Sequence, residues 1–464
     1  MLVDFRNLLE GPSNVGHKKS IVPSGMLERV FHLSAAGTSV KTEVVAGITT
    51  FLTMAYILFV QPTVLSAAGM DAGAVLTATC LSSALATLLM AWLANYPIAV
   101  APAMGHNFFF AFTVVVARGT PWQTALGAVA IAGTIFILTA GIGLRERVVT
   151  AVPESLKHAI GVGIGLLIAL IGLEWSGIVV GSPGTLVTLG NLKSPPVVLA
   201  LTTMAVMAVL MARGVKGALL AGMALATIGG LAIGLVKYEG VVAMPPSLMP
   251  TLLQLDILGA FRPGLWDVIV VFFFLALFDS IGSLIGVAER AGLMRHGKLP
   301  RVRQALLADA VGTVAGAALG TSTVTAYIES AAGVSAGGRT GLTSGVVAVL
   351  FLLALFFYPL IKMIGGGHSV GGVTLYPIVA PALVLVGVMM MEGVRHIRWN
   401  DLTEAIPAFL TMITMPLAMS ITDGIAFGFI SCALLKLTTG RARELDWVGY
   451  LIAALLLMRY VWGR

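Results

Sequence analysis

Long apolar runs recur from one end of this chain to the other, and their spacing limits the fold more than any other feature. Runs of spanning length fall at 43–67, 72–94, 97–117, 121–142, 156–180, 196–213 and 215–237. A connection at 238–265, marked by Pro245, Pro246, Pro250 and Pro263, interrupts them. A second set follows at 266–289, 302–319, 320–337, 341–361, 370–391, 403–420 and 422–438. A helix needs about 20 mostly apolar residues to cross the hydrocarbon of a bilayer. Only 11% of the 464 residues are charged and 58% are hydrophobic, against roughly 25% charged in soluble domains. The chain therefore reads as an all-α polytopic membrane protein with fourteen segments.

The basic residues test that count. With the amino terminus in the cytoplasm, all of the 28 Lys and Arg residues except Arg118, Lys193, Lys237, Arg262 and Lys362 fall on the inside, as the positive-inside rule requires. One miscounted span would scramble the split downstream. Topology thus accounts for the net charge of +7, and nucleic-acid binding is not needed to explain it. Residues 1–42, with Arg6, Lys18, Lys19, Arg29 and Lys41, form a cytoplasmic lead-in without a cleavable signal, including an amphipathic piece around Met26 to Leu33. The tail, 439–464, holds the short apolar run Trp447 to Trp462 with Arg459 inside it. It reads as interfacial or re-entrant, which leaves both termini in the cytoplasm of a cell whose inner (plasma) membrane the protein spans. Cys80 and Cys432 sit in apolar runs and are expected to be buried free thiols.

Seven segments in each half, 43–237 and 266–438, give the halves opposite orientations, the layout of inverted-repeat secondary transporters. Two breaks at corresponding positions support it. In segment ten, Thr321-Ser322-Thr323-Val324-Thr325-Ala326-Tyr327 is dense in β-branched and hydroxyl residues, which favour extended backbone. In segment three, Pro97 and Pro102 prevent a regular helix before Gly105-His106-Asn107-Phe108. Broken backbone survives in a bilayer only where protein or a water-filled cavity covers it.

Glu329 restarts segment ten and Asp279 lies deep in segment eight. An acid at that depth costs about 2.5 to 3.5 kcal/mol on insertion scales and marks function by default. The structural alternatives are a pairing of Glu329 with Arg339 and satisfaction of Asp279 by Ser280 or Ser283. Asp309, nearer the cytoplasmic end of segment nine, suits a helix–helix hydrogen bond. Asn107 offers donors and an acceptor at the other break, as a ligand or as a cap for the half-helix. His106 beside it is a candidate proton carrier, against the commoner satisfied histidine. Phe108 to Phe110 and Tyr327 can stack on a flat ring or simply pack. Gly105, Thr325 and Ser330 complete the candidate substrate set. Asp279, Glu329 and His106 are the candidate coupling residues. Gly312, Gly316 and Gly320, four apart, suit close helix packing.

The run Gly320 to Val334, followed by Gly338-Arg339-Thr340-Gly341-Leu342-Thr343, resembles the signature of the azaguanine-resistance type purine permeases. These form a branch of the nucleobase/cation symporter family within the xanthine/uracil permease superfamily. Phe51-Leu52-Thr53-Met54-Ala55-Tyr56-Ile57-Leu58, Ala68-Gly69-Met70-Asp71, Ala94-Asn95-Tyr96-Pro97, Phe278-Asp279 and Ala405-Ile406-Pro407-Ala408-Phe409 extend the likeness over about 43–438. The resemblance implies two inverted seven-segment repeats. Segments one to four and eight to eleven would form a core, and the others a gate that also dimerises. It implies that Asp279 and Glu329 hold a purine base beside Asn107, and that the protein moves by an elevator-type cycle. The chain departs from the family pattern at His106, Gln61, Ser280 and Ser283.

The chemistry points the same way. A purine is neutral, planar and rich in adjacent donors and acceptors, so an ionised carboxylate can accept two N–H groups and a protonated one can donate to a ring nitrogen. Symport with H+ or Na+ follows if one acid also carries the cation. No cofactor or metal is expected, and the partners are a purine nucleobase, the cation, the bilayer and a second copy of the chain. Xanthine, uracil or an anion as cargo are alternatives within the same fold. An intramembrane aspartyl protease is a remote one, since Asp279-Ser280-Ile281-Gly282 matches Asp-Ser-Gly loosely and the second acid is a glutamate.

Overall fold

The computed structural model describes residues 25–139, 152–262, 264–294, 299–370 and 372–462. Arg6, Lys18, Lys19, Arg145, Arg147, Pro263, Arg295, Lys298 and Arg464, which entered the topology argument, lie outside the described residues. After the short α1 (Met26–Phe31), α2 (Val40–Met54) and α3 (Ile57–Ala67) make the first segment, interrupted by a turn at Ala55 and Tyr56. α4 (Ala72–Leu89) starts where the Asp71 side chain accepts the Ala74 amide at 2.8 Å, an N-cap that satisfies one orphan donor. It continues as a π-helical turn, Met90–Ala94, and stops at Asn95 in left-handed backbone, φ 53°.

β1 (Val100–Pro102) and α5 (Met104–Phe108), prolonged by the π-helical Phe109–Ala117, follow, then α6 (Trp122–Thr139). α7 (Glu154–Trp175), the hairpin β2 (Val179–Ser182) and β3 (Leu186–Leu189), α8 (Pro195–Ala212), α9 (Ala218–Ala232) and the short α10 (Ile257–Ala260) complete the first half and its connection. The second half contains α11 (Trp266–Arg290), α12 (Val302–Leu319), β4 (Val324–Ala326), α13 (Ser330–Ser335), α14 (Gly341–Ala354) and α15 (Tyr358–Gly365). Then come the hairpin β5 (His368–Val370) and β6 (Val373–Leu375), α16 (Ala380–Met390), α17 (Leu402–Ala418), α18 (Ile421–Thr438) and α19 (Trp447–Trp462). Among the described residues, nine helical stretches are long and apolar enough to span a bilayer.

The two hairpins correct the sequence-based boundaries. The segment expected at 370–391 starts as a helix only at Ala380, and the one expected at 156–180 ends at Trp175. Val-Val-Gly-Ser and Val-Thr-Leu are apolar enough to look like continuations of a span, yet their β-branched residues pair as antiparallel strands.

Two groups of helices emerge from the packing. α2, α3, α4, α6, α11, α12, α13 and α14 surround β1 and β4, whereas α7, α16, α17 and α18 pack chiefly on one another. Gly312 shows what the glycine spacing achieves. A Cβ there would sit 2.5 Å from the Ala86 methyl and 2.8 Å from Val324 Cγ2, so only glycine lets α12 lie against both α4 and β4.

The loop before α14 is fastened from two directions. The buried Glu43 carboxylate accepts the backbone amides of Arg339 (2.9 Å), Thr340 (3.3 Å) and Thr343 (3.2 Å) and the Thr343 hydroxyl (2.6 Å). Asn95 accepts the Gly341 amide at 2.7 Å and donates to the Phe31 carbonyl at 3.0 Å. Phe31 and Leu33 are buried with Ala91 and Leu342, which is what the amphipathic piece around α1 does.

Candidate functional site

The two breaks meet. β1 and β4 pair antiparallel with Val100 opposite Ala326, Ala101 opposite Thr325 and Pro102 opposite Val324. The ladder is extended by Ala103 N–H to the Thr323 carbonyl (3.0 Å) and Tyr327 N–H to the Ala99 carbonyl (2.9 Å). Each break thus supplies the hydrogen-bond partners the other lost on leaving the helix, which is how non-helical backbone becomes tolerable at membrane depth. Side chains from the surrounding helices finish the task. Thr87 bonds both the carbonyl (2.9 Å) and the amide (3.0 Å) of Val100, and the Thr313 hydroxyl reaches the Val324 carbonyl at 3.1 Å. Asp309 of α12 accepts the Ala326 amide at 3.4 Å, which ties that helix to the strand.

Two carboxylates border this ladder. Thr325 of β4 donates to Asp279 Oδ2 at 3.1 Å, and the Asp279 side chain keeps 45% of its surface exposed. Glu329, three residues past β4, accepts the Tyr56 hydroxyl on Oε1 at 2.7 Å. The structural alternatives for both acids are not what is found. Arg339 donates to the carbonyls of Val334 (2.8 Å) and Gly338 (2.7 Å) at the end of α13, and Ser280 is not the residue that bonds Asp279.

His106 lies beside Asp279, its Nδ1 3.9 Å from Oδ2, beyond hydrogen-bond length, with the ring only 2% exposed. Neither ring nitrogen has a hydrogen-bond partner among the described residues. Asn107 accepts from the Ser322 hydroxyl, and its Nδ2 has no partner among the described residues. Gln61 donates to Thr321 (2.9 Å) and Ser322 (3.3 Å), so a buried chain of amides and hydroxyls runs along the flank of β4.

The remaining candidates divide. Tyr327 donates to the Pro102 carbonyl at 2.5 Å and Ser330 accepts the Ala99 amide at 3.0 Å; both brace the strand pair. Phe108 is fully buried and stacks on Phe112, with centroids 5.6 Å apart, so it offers no open face in this conformation. Gly105 marks a close approach to α7, since a Cβ there would lie 2.9 Å from Ile164 Cγ2. Sequence reasoning passed over Tyr56, Thr87 and Glu43. A polar side chain in the middle of an apolar run, as Tyr56 is in Phe51 to Leu58, was the available signal.

The sequence pattern of the permease family Xan_ur_permease matches residues 41–427. This chain belongs to that permease family. The permease is 45% identical to the adenine permease AdeP of Escherichia coli over 446 residues, covering 96% of this chain and 98% of that one. It is 45% identical to the guanine/hypoxanthine permease PbuO of Bacillus subtilis, over 90% of this chain and 96% of that one. Its fold matches the transmembrane domain of the cyanobacterial bicarbonate transporter BicA with a TM-score of 0.60 at 16% identity, over 82% of this chain and 97% of that one. The permease is thus an all-α polytopic membrane protein of that fold.

Proposed function

We propose that this permease imports purine nucleobases by cation symport and holds the base at the junction of β1 and β4, between Asp279 and Glu329. One observation carries the reading: carboxylates from two separate segments border one extended stretch, Asp279 bonded to Thr325 within β4 and Glu329 just past its end. Glu329 is suited to accept adjacent N–H groups of the base. Asp279, exposed and next to His106, is suited to carry the coupling proton. The names of the relatives, adenine and guanine/hypoxanthine permeases, support a purine as cargo. One positive charge moving through 100 mV supplies about 2.3 kcal/mol, enough for roughly fortyfold accumulation.

In this reading the fourteen segments form two inverted repeats. The helices around β1 and β4 are the core that carries the base, and those around α7, α16, α17 and α18 are the gate, which also forms a homodimer. The conformation fits a site open to the cytoplasm. Asp279, Gly282 and Glu289 are exposed and Gly286 is part-exposed, a strip at steps of three or four along α11 that leads from the site to the helix end.

Uptake of labelled adenine, guanine, hypoxanthine, xanthine and uracil in a transport-deficient host tests the reading. Accumulation of at least one purine is expected. Uptake of uracil or xanthine alone would move the cargo elsewhere within the family, and accumulation of none of the five would overturn the proposal.

A further inference from the structure

The C-terminal helix is joined to both groups of helices at one end of the bundle. Arg459 of α19 places Nε 2.9 Å from Asp267 Oδ2 and Nη1 2.8 Å from Asp423 Oδ1. Asp267 opens α11, which packs with the helices around the strands, and Asp423 opens α18, which packs with α17 and α7. Arg118, just past the π-helical continuation of α5, holds Asp267 from the other side at 2.6 and 3.1 Å. The Tyr460 hydroxyl donates to Asp423 at 2.6 Å. Two arginines and two aspartates balance, as a cluster this buried requires; Asp267 is 2% exposed.

The direction of α19 follows from its two ends. Near its start, Tyr450 donates to the Ala442 carbonyl at 3.0 Å. Lys436, in the last turn of α18, reaches Glu444 at 2.9 Å. Arg441 and Lys436 hold that carboxyl down at about 2. Its far end meets Asp423, in the first turn of α18. α19 therefore runs antiparallel along the length of α18, not across its end. Below the arginine, Ile452 and Leu456 of α19 line an apolar slit with Phe274 and Phe278 of α11 and Phe429 of α18.

We propose that α19 is a further membrane crossing, and that its Arg459 is the lock that closes the outer side of the permease while the site faces inward. The proposal rests on the reading above of a core and a gate with the site open to the cytoplasm. It reverses the interfacial reading of the tail and puts the C terminus on the face opposite the N terminus. Arginine near the end of a short apolar run resembles a snorkelling cation; its carboxylate partners lie on other helices, so the sequence order hides them. Sixteen residues reach about 24 Å, and α18, with eighteen, is similarly short. The same membrane thickness serves both. Opening toward the outside must part α11 from α18, and Arg459 is the side chain that spans them.

Sidedness is the first test. A cysteine appended after Arg464, in a chain with Cys80→Ala and Cys432→Ala, should react with a membrane-impermeant maleimide on intact cells. A cysteine placed before the lead-in should react only after permeabilisation. A C-terminal cysteine that needs permeabilisation, in a chain that still takes up base, overturns the crossing without touching the transport reading. The lock is tested by Arg459→Gln, which leaves Asp267 paired with Arg118. Labelling from outside of Ile425→Cys, in the slit, should accelerate about tenfold as the outward state gains population. If that variant does not fold, Asp423→Asn is read in the same way. An unchanged labelling rate in the folded variant rules the lock out.

Discussion

The Tyr56 hydroxyl donates to Glu329 Oε1 at 2.7 Å, tying the first segment to the tenth across 273 positions of sequence. Tyr56→Phe removes this donor and leaves the acid with one fewer partner for its charged form. A hydrogen bond to a charged group contributes about 1.5 to 3 kcal/mol. Base affinity should therefore change by about tenfold or more, and calorimetric titration of the purified variant with hypoxanthine checks this. An unaltered affinity means Tyr56 does not set the state of Glu329.

In the proposed function, Asp279 carries the coupling proton. Asp279→Asn is fixed in the neutral form, so it should still exchange purine across the membrane of proteoliposomes, because counterflow needs no net proton movement. Accumulation driven by a pH gradient should be lost. His106 is 3.9 Å away, and the reverse outcome, with Asp279→Asn accumulating and His106→Leu failing, transfers the role to His106.

Gly105 faces Ile164 of α7 so closely that a Cβ would lie 2.9 Å from its Cγ2. If core and gate slide past each other here, Gly105→Leu overpacks the contact, at a cost of about 1 to 3 kcal/mol. Uptake should fall about tenfold or more, and Ile164→Ala in the same chain should restore part of it. No rescue by the smaller partner means the contact does not lie on the moving surface.

Glu43 supports the fold and is remote from transport chemistry in this account. Glu43→Ala strands the amides of Arg339 and Thr340 before α14 and of Thr343 in its first turn, each unmade bond costing about 1 to 3 kcal/mol. The melting temperature in detergent should drop by several degrees while hypoxanthine affinity of the folded fraction stays the same. A variant as stable as the parent would show that Asn95 alone secures the loop.

The breaks were legible because their chemistry is local. Thr321 to Thr325 disfavour helix through their own side chains, and Pro97 and Pro102 through their rings, so both strands could be expected from sequence. That the two strands pair, with Ala101 opposite Thr325, could not be read from either break alone. Asp279 and Glu329 were legible because charge is rare in apolar runs. Tyr56, Thr87 and Gln61 were hidden as partners because each bonds a distant segment or a backbone group. Asp71 and Asn95 stood in recognisable motifs, yet only the structure reveals them as the cap of α4 and the clasp on α14. The partners of Arg459 were hidden for the same reason: a short-range pattern cannot tell an arginine that meets lipid headgroups from one that meets two aspartates.

The central claim is that Glu329 holds a purine base beside β4. Titrating adenine and hypoxanthine into the purified permease and into Glu329→Gln, side by side, tests it most directly. Gln keeps the size and loses the charge-assisted acceptor, so binding should weaken by roughly ten- to a hundredfold with the melting temperature of the free protein unchanged. Equal affinity of the folded variant and the parent for both bases would contradict the account.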